Sequence, residues 1–190
     1  MVLVIDASNI RSGGGLTHLI GILKYYDIKF GFSQIIVYSN QKTLDSIPER
    51  AWLVKKSHKL LNKSFIWSFY FQMFIFSGLV RTTDKASIVY APGGTFLGNF
   101  RPFVTMSRNM LPFELNEAFR FKKWKVRVRF ISLFFTQLVS YKSANGMIFL
   151  TEYAKNIISK KISKLIVNSV IIPHGIDESF LRKPRKQHEI

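Results

Sequence analysis

Val2-Leu3-Val4-Ile5-Asp6-Ala7-Ser8-Asn9-Ile10-Arg11-Ser12-Gly13-Gly14-Gly15-Leu16 is an apolar run that breaks into polar residues and three glycines before an apolar pattern resumes. Val2 to Asp6 has the length and the residue types of a buried strand. Beyond the glycines, Leu16, Leu19, Ile20 and Leu23 recur at the spacing of one helix face. A strand that feeds a helix through a glycine turn is the opening unit of a parallel α/β sheet. Gly13, Gly14 and Gly15 let the backbone approach a ligand closely. The free N–H groups and positive dipole end of the helix favour a phosphate or an electron-rich sugar oxygen there. The same glycines also suit a turn required by geometry alone.

Working outward, short β-rich runs alternate with longer helical stretches. Strands are expected at Val2 to Asp6, Gln34 to Tyr38, Ser87 to Ala91, Phe103 to Ser107, Gly146 to Leu150 and Val167 to Ile172, with a short one near Trp52 to Val54. Helices are expected from about Leu16 and over Lys63 to Val80, Lys123 to Tyr141 and Glu152 to Lys161, the last with Thr151 as N-cap. The fold class is therefore α/β: a single Rossmann-like domain whose mostly parallel sheet carries helices on both faces. The 190 residues and 47% hydrophobic content suit one domain with its own core.

Several chemistries lack their residues. Gly13-x-Gly15 is followed by His18 where a dinucleotide fingerprint wants Gly or Ala, and Val37-Tyr38-Ser39-Asn40 has no acid to grip a ribose. No Gly-Lys-Ser/Thr sequence is present, so a P-loop is excluded. Asp6, Asp27, Asp45, Asp84 and Asp177 are never two apart, which removes the Asp-x-Asp pair that would hold a divalent cation on a diphosphate. The absence of cysteine excludes disulfides, thiolate nucleophiles and Cys-based zinc sites and fits a reducing compartment. No metal and no cofactor are expected.

Two more loops fall on the carboxyl edge of the expected sheet, where open α/β sheets bind ligands. One is Pro92-Gly93-Gly94-Thr95-Phe96-Leu97-Gly98-Asn99. The other, Ser107-Arg108-Asn109-Met110-Leu111-Pro112-Phe113-Glu114, offers Arg108 to a phosphate and Asn109 to a sugar hydroxyl. Glu114 serves that rim or caps the following helix. His18 reads as a helix-face residue near the cleft and not as a base.

Lys and Arg number 28 against 11 Asp and Glu, a net charge of +17 that favours an anionic partner. No acid occurs from Ala118 to Thr151, where Arg120, Lys122, Lys123, Lys125, Arg127 and Arg129 interleave with Phe119, Phe121, Trp124, Phe130, Phe134 and Phe135. This is the composition of a helix lying on an anionic bilayer. The competing reading is a solvated helix face whose aromatics enter the core. A single-stranded nucleic-acid platform uses similar residues, but no fingerprint accompanies it, and nucleic acid is not an expected partner. Phe65 to Val80 is 16 residues long, short of the roughly 20 needed to span a bilayer, and reads as a buried or interfacial helix. Met1 to Asp6 lacks a signal-peptide pattern, so a cytoplasmic protein, peripheral on the inner face of the membrane, is expected.

Four motifs occur in the order seen in glycosyltransferase family 4. They are the first strand with its Gly13-Gly14-Gly15 helix start, Tyr90-Ala91-Pro92-Gly93-Gly94, Arg108-Asn109-Met110-Leu111-Pro112-Phe113, and Ile171-Ile172-Pro173-His174-Gly175-Ile176-Asp177. The chain resembles the N-terminal half of that family's GT-B fold over nearly its whole length. The resemblance implies an acceptor-side domain at 1–178 and a linker, or the truncated start of a donor domain, at 179–190. It implies retaining, metal-independent sugar transfer from a nucleotide-sugar, with His174, Gly175 and Asp177 at the turn between domains. It further implies that Gly13, Gly14 and Gly15 approach the transferred sugar or its phosphate. On the acceptor side it places Gly93, Gly94, Thr95, Arg108, Asn109 and Glu114.

Two departures qualify this. The chain has no Glu-x7-Glu pair of the donor half, so a polypeptide ending at Ile190 is expected to be inactive alone. Arg108 also stands where many members carry histidine. The expected function is the N-terminal part of a retaining transferase in envelope polysaccharide or glycolipid synthesis, acting on a saccharide or lipid-linked acceptor beside an anionic membrane. The catalytic residues are not assigned. The alternative is a non-catalytic basic binding module, or a subunit of a split transferase.

Overall fold

The strands are short, and Val2 to Asp6 and Gln34 to Tyr38 are rich in Val and Ile on both alternating faces, as strands covered on both sides require. In a computed structural model the chain is described over residues 1–82, 84–162 and 168–175, apart from the side chains of Leu115 and Ala118. Seven parallel strands form one sheet in the order β3-β2-β1-β4-β5-β6-β7. They are β1 (Val2–Asp6), β2 (Gln34–Tyr38), β3 (Leu53–Lys56), β4 (Ile88–Ala91), β5 (Phe103–Ser107), β6 (Gly146–Phe149) and β7 (Ser169–Ile171). The helices are α1 (Gly14–Tyr25), α2 (Gln41–Ser46), α3 (Phe65–Phe71), α4 (Ser77–Thr82), α5 (Leu115–Phe119), α6 (Trp124–Ser143) and α7 (Glu152–Ile162).

Register decides what each face buries. Val4 pairs with Ile36 on one side and Val89 on the other. Together with Ala91 and Phe103, these residues meet Phe71 of α3 and Val80 of α4. The alternate residues Ile5, Ile35 and Val37 meet Leu19 and Leu23 of α1 and Leu44 of α2 on the opposite face. Leu19 and Leu23 are wholly buried, each worth about 1.5–3 kcal/mol. Farther along the sheet, Met147 and Phe149 pack with Tyr141 of α6 and with Ala154 and Ile158 of α7. The domain is thus a single Rossmann-like α/β unit with helices on both faces. Its strand order reverses between β1 and β4, which opens a crevice at their carboxyl ends.

Each expected strand forms within the described residues, β3 over Leu53–Lys56 and β7 over Ser169–Ile171, while Val167, expected to open the last strand, lies outside the described residues. Thr151 caps α7 as expected, its Oγ1 accepting from Ala154 N at 3.1 Å. The stretch Lys63 to Val80 differs. It breaks into α3, a five-residue π-helical turn at Gln72–Phe76, and α4. The turn buries Gln72, Phe71 and Phe76 together. Gln72 Nε2 donates to Asp6 Oδ2 at 2.6 Å and to Ser8 Oγ at 2.9 Å, linking the helix to the end of β1. Among the described residues no helix is long and apolar enough to cross a membrane.

Candidate functional site at the carboxyl edge

The loop after β1 is fixed by backbone geometry. Ser8 N donates to Asp6 Oδ1 at 3.1 Å, while Ile10 O accepts from Asn40 Nδ2 and Thr43 Oγ1 at 3.2 and 2.9 Å. Gly13 then takes φ 66°, a region open to glycine, and starts α1 without a side-chain cap or an acidic residue in the first turn. Leu16 N and Thr17 N donate to Gly13 O at 2.9 and 3.2 Å, so the amides of Gly14 and Gly15 are the ones left without an intrahelical acceptor, and the first turn holds no acidic residue to offset the positive dipole end.

Arg108, from the end of β5, comes to this helix start. A Cβ on Gly15 would lie 3.4 Å from its Nη2. Nε and Nη1 of Arg108 are buried without a hydrogen-bond partner. Burial pulls its pKa down, and the neighbouring Tyr90 opposes that fall. Tyr90 itself is pushed up to about 12 by burial, an effect Arg108 counters. His18 of α1 completes the corner. Its Nε2 is buried and unpartnered, and its ring stands edge-on to His174, with centroids 5.3 Å apart. Burial first, then the charge of Arg108 and then His174, depress His18 to about 4. The group is a neutral imidazole at neutral pH.

Among the described residues no carboxylate pairs with the half-buried guanidinium of Arg108, and the uncapped helix start beside it offers amide donors to an anion. A half-buried guanidinium with two unpaired nitrogens has hydrogen-bonding capacity that a phosphoryl or carboxylate group would satisfy.

The second glycine loop lies across the crevice. A Cβ on Gly93 would collide with the amide group of Asn9, 2.6 Å from its Nδ2, so Asn9 can wedge the two loops together because residue 93 is glycine. Gly94 has φ 79°, and its Cβ position is 3.1 Å from Met106 O and 3.2 Å from Tyr141 Oη. Thr95 is buried with its hydroxyl unpartnered, as are Gln72 Oε1, Gln137 Oε1 and Tyr141 Oη. Buried polar atoms of this kind are ordinarily met by ordered water or a ligand.

The remaining expected residues lie apart from this centre. Asn109 is exposed, and its Oδ1 accepts from Leu111 N at 3.1 Å in a local turn. Glu114 precedes α5 without a side-chain capping bond and accepts from Tyr153 Oη of α7 at 3.0 Å. Arg120 pairs with Glu117 at 2.9 Å, and Arg127 Nε donates to Phe121 O at 2.7 Å. Lys122, Lys123, Trp124, Lys125 and Arg129 are exposed. Among the described residues no atom lies within 4 Å of a Cβ placed on Gly175, while Asp177 and residues 179–190 lie outside the described residues.

Sequence reasoning passed over Asn9, Arg11 and Gln72 as site residues. Asn9 and Arg11 stood in the loop already singled out, and a lone Gln in an apolar run was the available signal for Gln72. No family model matches the chain, and no curated protein matches it. The motifs quoted above carry the family resemblance by themselves.

Proposed function

We propose that the chain is the acceptor-side domain of a retaining, nucleotide-sugar-dependent glycosyltransferase of the family-4 type. In this reading it works on a saccharide or lipid-linked acceptor at an anionic membrane surface, in envelope polysaccharide or glycolipid synthesis. The observation that carries the proposal is the anion-ready corner at the strand-order reversal, where Arg108 lies unpaired against Gly15 at the start of α1. Gly13 and Gly14 of the first loop stand in open space beside that corner, which leaves backbone room for a sugar. The aromatic-basic α6 supports the membrane part.

In this scheme the acceptor hydroxyl oxygen bonds to the anomeric carbon as the bond from that carbon to the donor's diphosphate oxygen breaks. The electron pair leaves with the diphosphate, and the hydroxyl proton passes to a phosphate oxygen on the same face, so no side-chain base is needed. Arg108 and the first-turn amides of α1 stabilise charge growing on that oxygen, and the loops fix the approach. A donor-binding domain, in the same or another chain, supplies the rest of the nucleotide grip.

Thermal stabilisation tests this directly, because a ligand selective for the folded state must raise the melting temperature. Shifts with oligosaccharides or lipid-linked sugars, and none with nucleosides, are expected. A strong shift with a nucleoside that lacks phosphate, or no shift with any saccharide, would falsify the assignment.

A further inference from the structure

Helices α3 and α6 are built the wrong way round for helices in water. α6 buries Phe130, Gln137 and Tyr141 on one face, as a docked helix should. On the opposite face it exposes a stripe at helical spacing, Trp124, Val128, Ile131, Phe135 and Val139, with Trp124 68% and Phe135 60% exposed. α3 and its π turn repeat this, burying Ser68 and Phe71 while Ile66 and Phe74 remain 77% and 67% exposed. A contiguous apolar surface of this kind marks an interaction site.

Between the two helices lies a cavity of about 540 Å³, within the roughly 300–1,000 Å³ usual for small-molecule sites. Its apolar wall is Phe65, Phe69 and Leu133, and its polar end is Arg11, Arg129 and Asn9. Arg11 is held in place, its Nη2 donating to Leu61 O and Ser68 Oγ at 3.3 Å each, while its buried Nε has no partner. Among the described residues no carboxylate is within ion-pair distance of Arg11 or Arg129.

An apolar wall, two unneutralised arginines and an aromatic collar on both flanks match an amphiphile with an anionic head. We infer that this pocket binds a phosphorylated lipid while it is still embedded in an anionic bilayer. Its phosphate meets Arg11 and Arg129, and its first chain segments lie along Phe65, Phe69 and Leu133. The collar of α3 and α6 sits in the interfacial zone around the pocket mouth, where aromatic and cationic side chains are most stable. Calling this lipid the sugar acceptor rests on the transferase proposal, but the lipid site does not. Asn9 connects the two, since it lines the pocket and abuts Gly93 of the second loop.

The test uses the full chain on phosphatidylcholine vesicles, with or without a phosphatidic acid that bears a photoreactive group early in one acyl chain. Crosslinks are expected in the peptides containing Phe65 and Phe69 or Leu133. Ser132→Trp fills the mouth from an exposed position on α6. It should weaken crosslinking about tenfold, the worth of about two buried methylene groups, and leave vesicle co-sedimentation unchanged. Arg129→Gln should weaken crosslinking and Arg129→Lys restore it. Crosslinks confined to Trp124 and Phe135, indifference to Ser132→Trp, or equal displacement by water-soluble glycerol phosphate would each overturn the inference. Pocket crosslinking in a protein that no saccharide stabilises leaves the lipid site standing and removes the transferase proposal. Saccharide stabilisation without pocket crosslinking does the reverse.

Discussion

Arg108 lies half-buried at the start of α1 with two guanidinium nitrogens unpaired, whereas Lys125 lies exposed on α6 among aromatic side chains that face outward. Both belong to a chain of net charge +17, but the charge does different work in the two regions. Around Arg108 the protein covers about half of the side chain, so an arriving anion meets it at lower screening than in open water. Around Lys125 water screens every charge, and attraction comes from many cations acting with apolar area. Two regions of one sign thus differ in kind, one being a point site and the other a surface.

That contrast is most directly broken at Arg108. Replacing it with Met removes two charge-assisted hydrogen bonds to a bound phosphoryl group, a loss of about 3 kcal/mol or roughly a hundredfold in affinity. The ligand-free protein should be no less stable, because an uncompensated buried charge is removed with it. Calorimetry with inorganic phosphate and thermal melts of the free protein read the two effects. A variant that keeps phosphate affinity, or that melts well below the wild type, would mean that the guanidinium is structural.

Next in size is Gly94→Ala. The substitution forces a Cβ into a left-handed conformation at φ 79° and against Met106 O, which should cost about 2 kcal/mol. Loop two supports the corner and not the lipid surface, so saccharide-dependent stabilisation should fall while vesicle co-sedimentation stays at the wild-type level. Loss of both would show the two regions to be mechanically one.

The contrast was only partly legible in the sequence. Strand runs and glycine turns placed the sheet and both loops, because a strand buried on both faces leaves a continuous apolar signature. The π turn after α3 was hidden for the same reason. Phe65 to Phe76 is apolar at nearly every position, so no period marks where an extra residue enters. Arg108 was legible as a residue at a strand end, but its burial beside Gly15 and the pairing of His18 with His174 depend on chain segments far apart in sequence. The aromatics of α6 were equally plain. Which of its two apolar faces enters the core is decided by packing, and Phe130 and Tyr141 went in while Trp124 and Phe135 stayed out.

The surface region has its own test in Trp124→Ser and Phe135→Ser. Each removes apolar area that would enter the interfacial zone and should weaken binding to anionic vesicles about tenfold, roughly 1.5 kcal/mol. Melting temperature should hardly move, since both side chains are exposed in the free protein. Added salt should loosen vesicle binding much more than it loosens phosphate at Arg108. Equal salt sensitivity at both places would erase the distinction between point site and surface.

The smallest expected effect lies in the pH dependence of the corner. His18 falls from an ordinary 6.5 to about 4 on folding, so between these values the unfolded chain binds the proton and the folded chain does not. Its contribution is therefore fully present above about 6.5 and is lost as pH falls toward 4, by about 1 kcal/mol once solvent screening of a half-exposed ring is allowed for. Asp6 acts in the opposite direction. Burial raises it from 3.8 to about 6 against the hydrogen bonds from Ser8 and Gln72, so acidification through that range favours the folded state. A wild-type stability curve mixes the two, but subtracting the curve of His18→Gln cancels Asp6 and isolates the imidazole. Wild type should lose stability relative to His18→Gln as pH drops from 6.5 to 4. A bound phosphate should reduce that loss, because an anion facing Arg108 makes the protonated ring easier to hold. Parallel curves with and without phosphate would mean that the anion does not sit within reach of His18, and the corner would then have to be redrawn around Arg108 and the α1 amides alone.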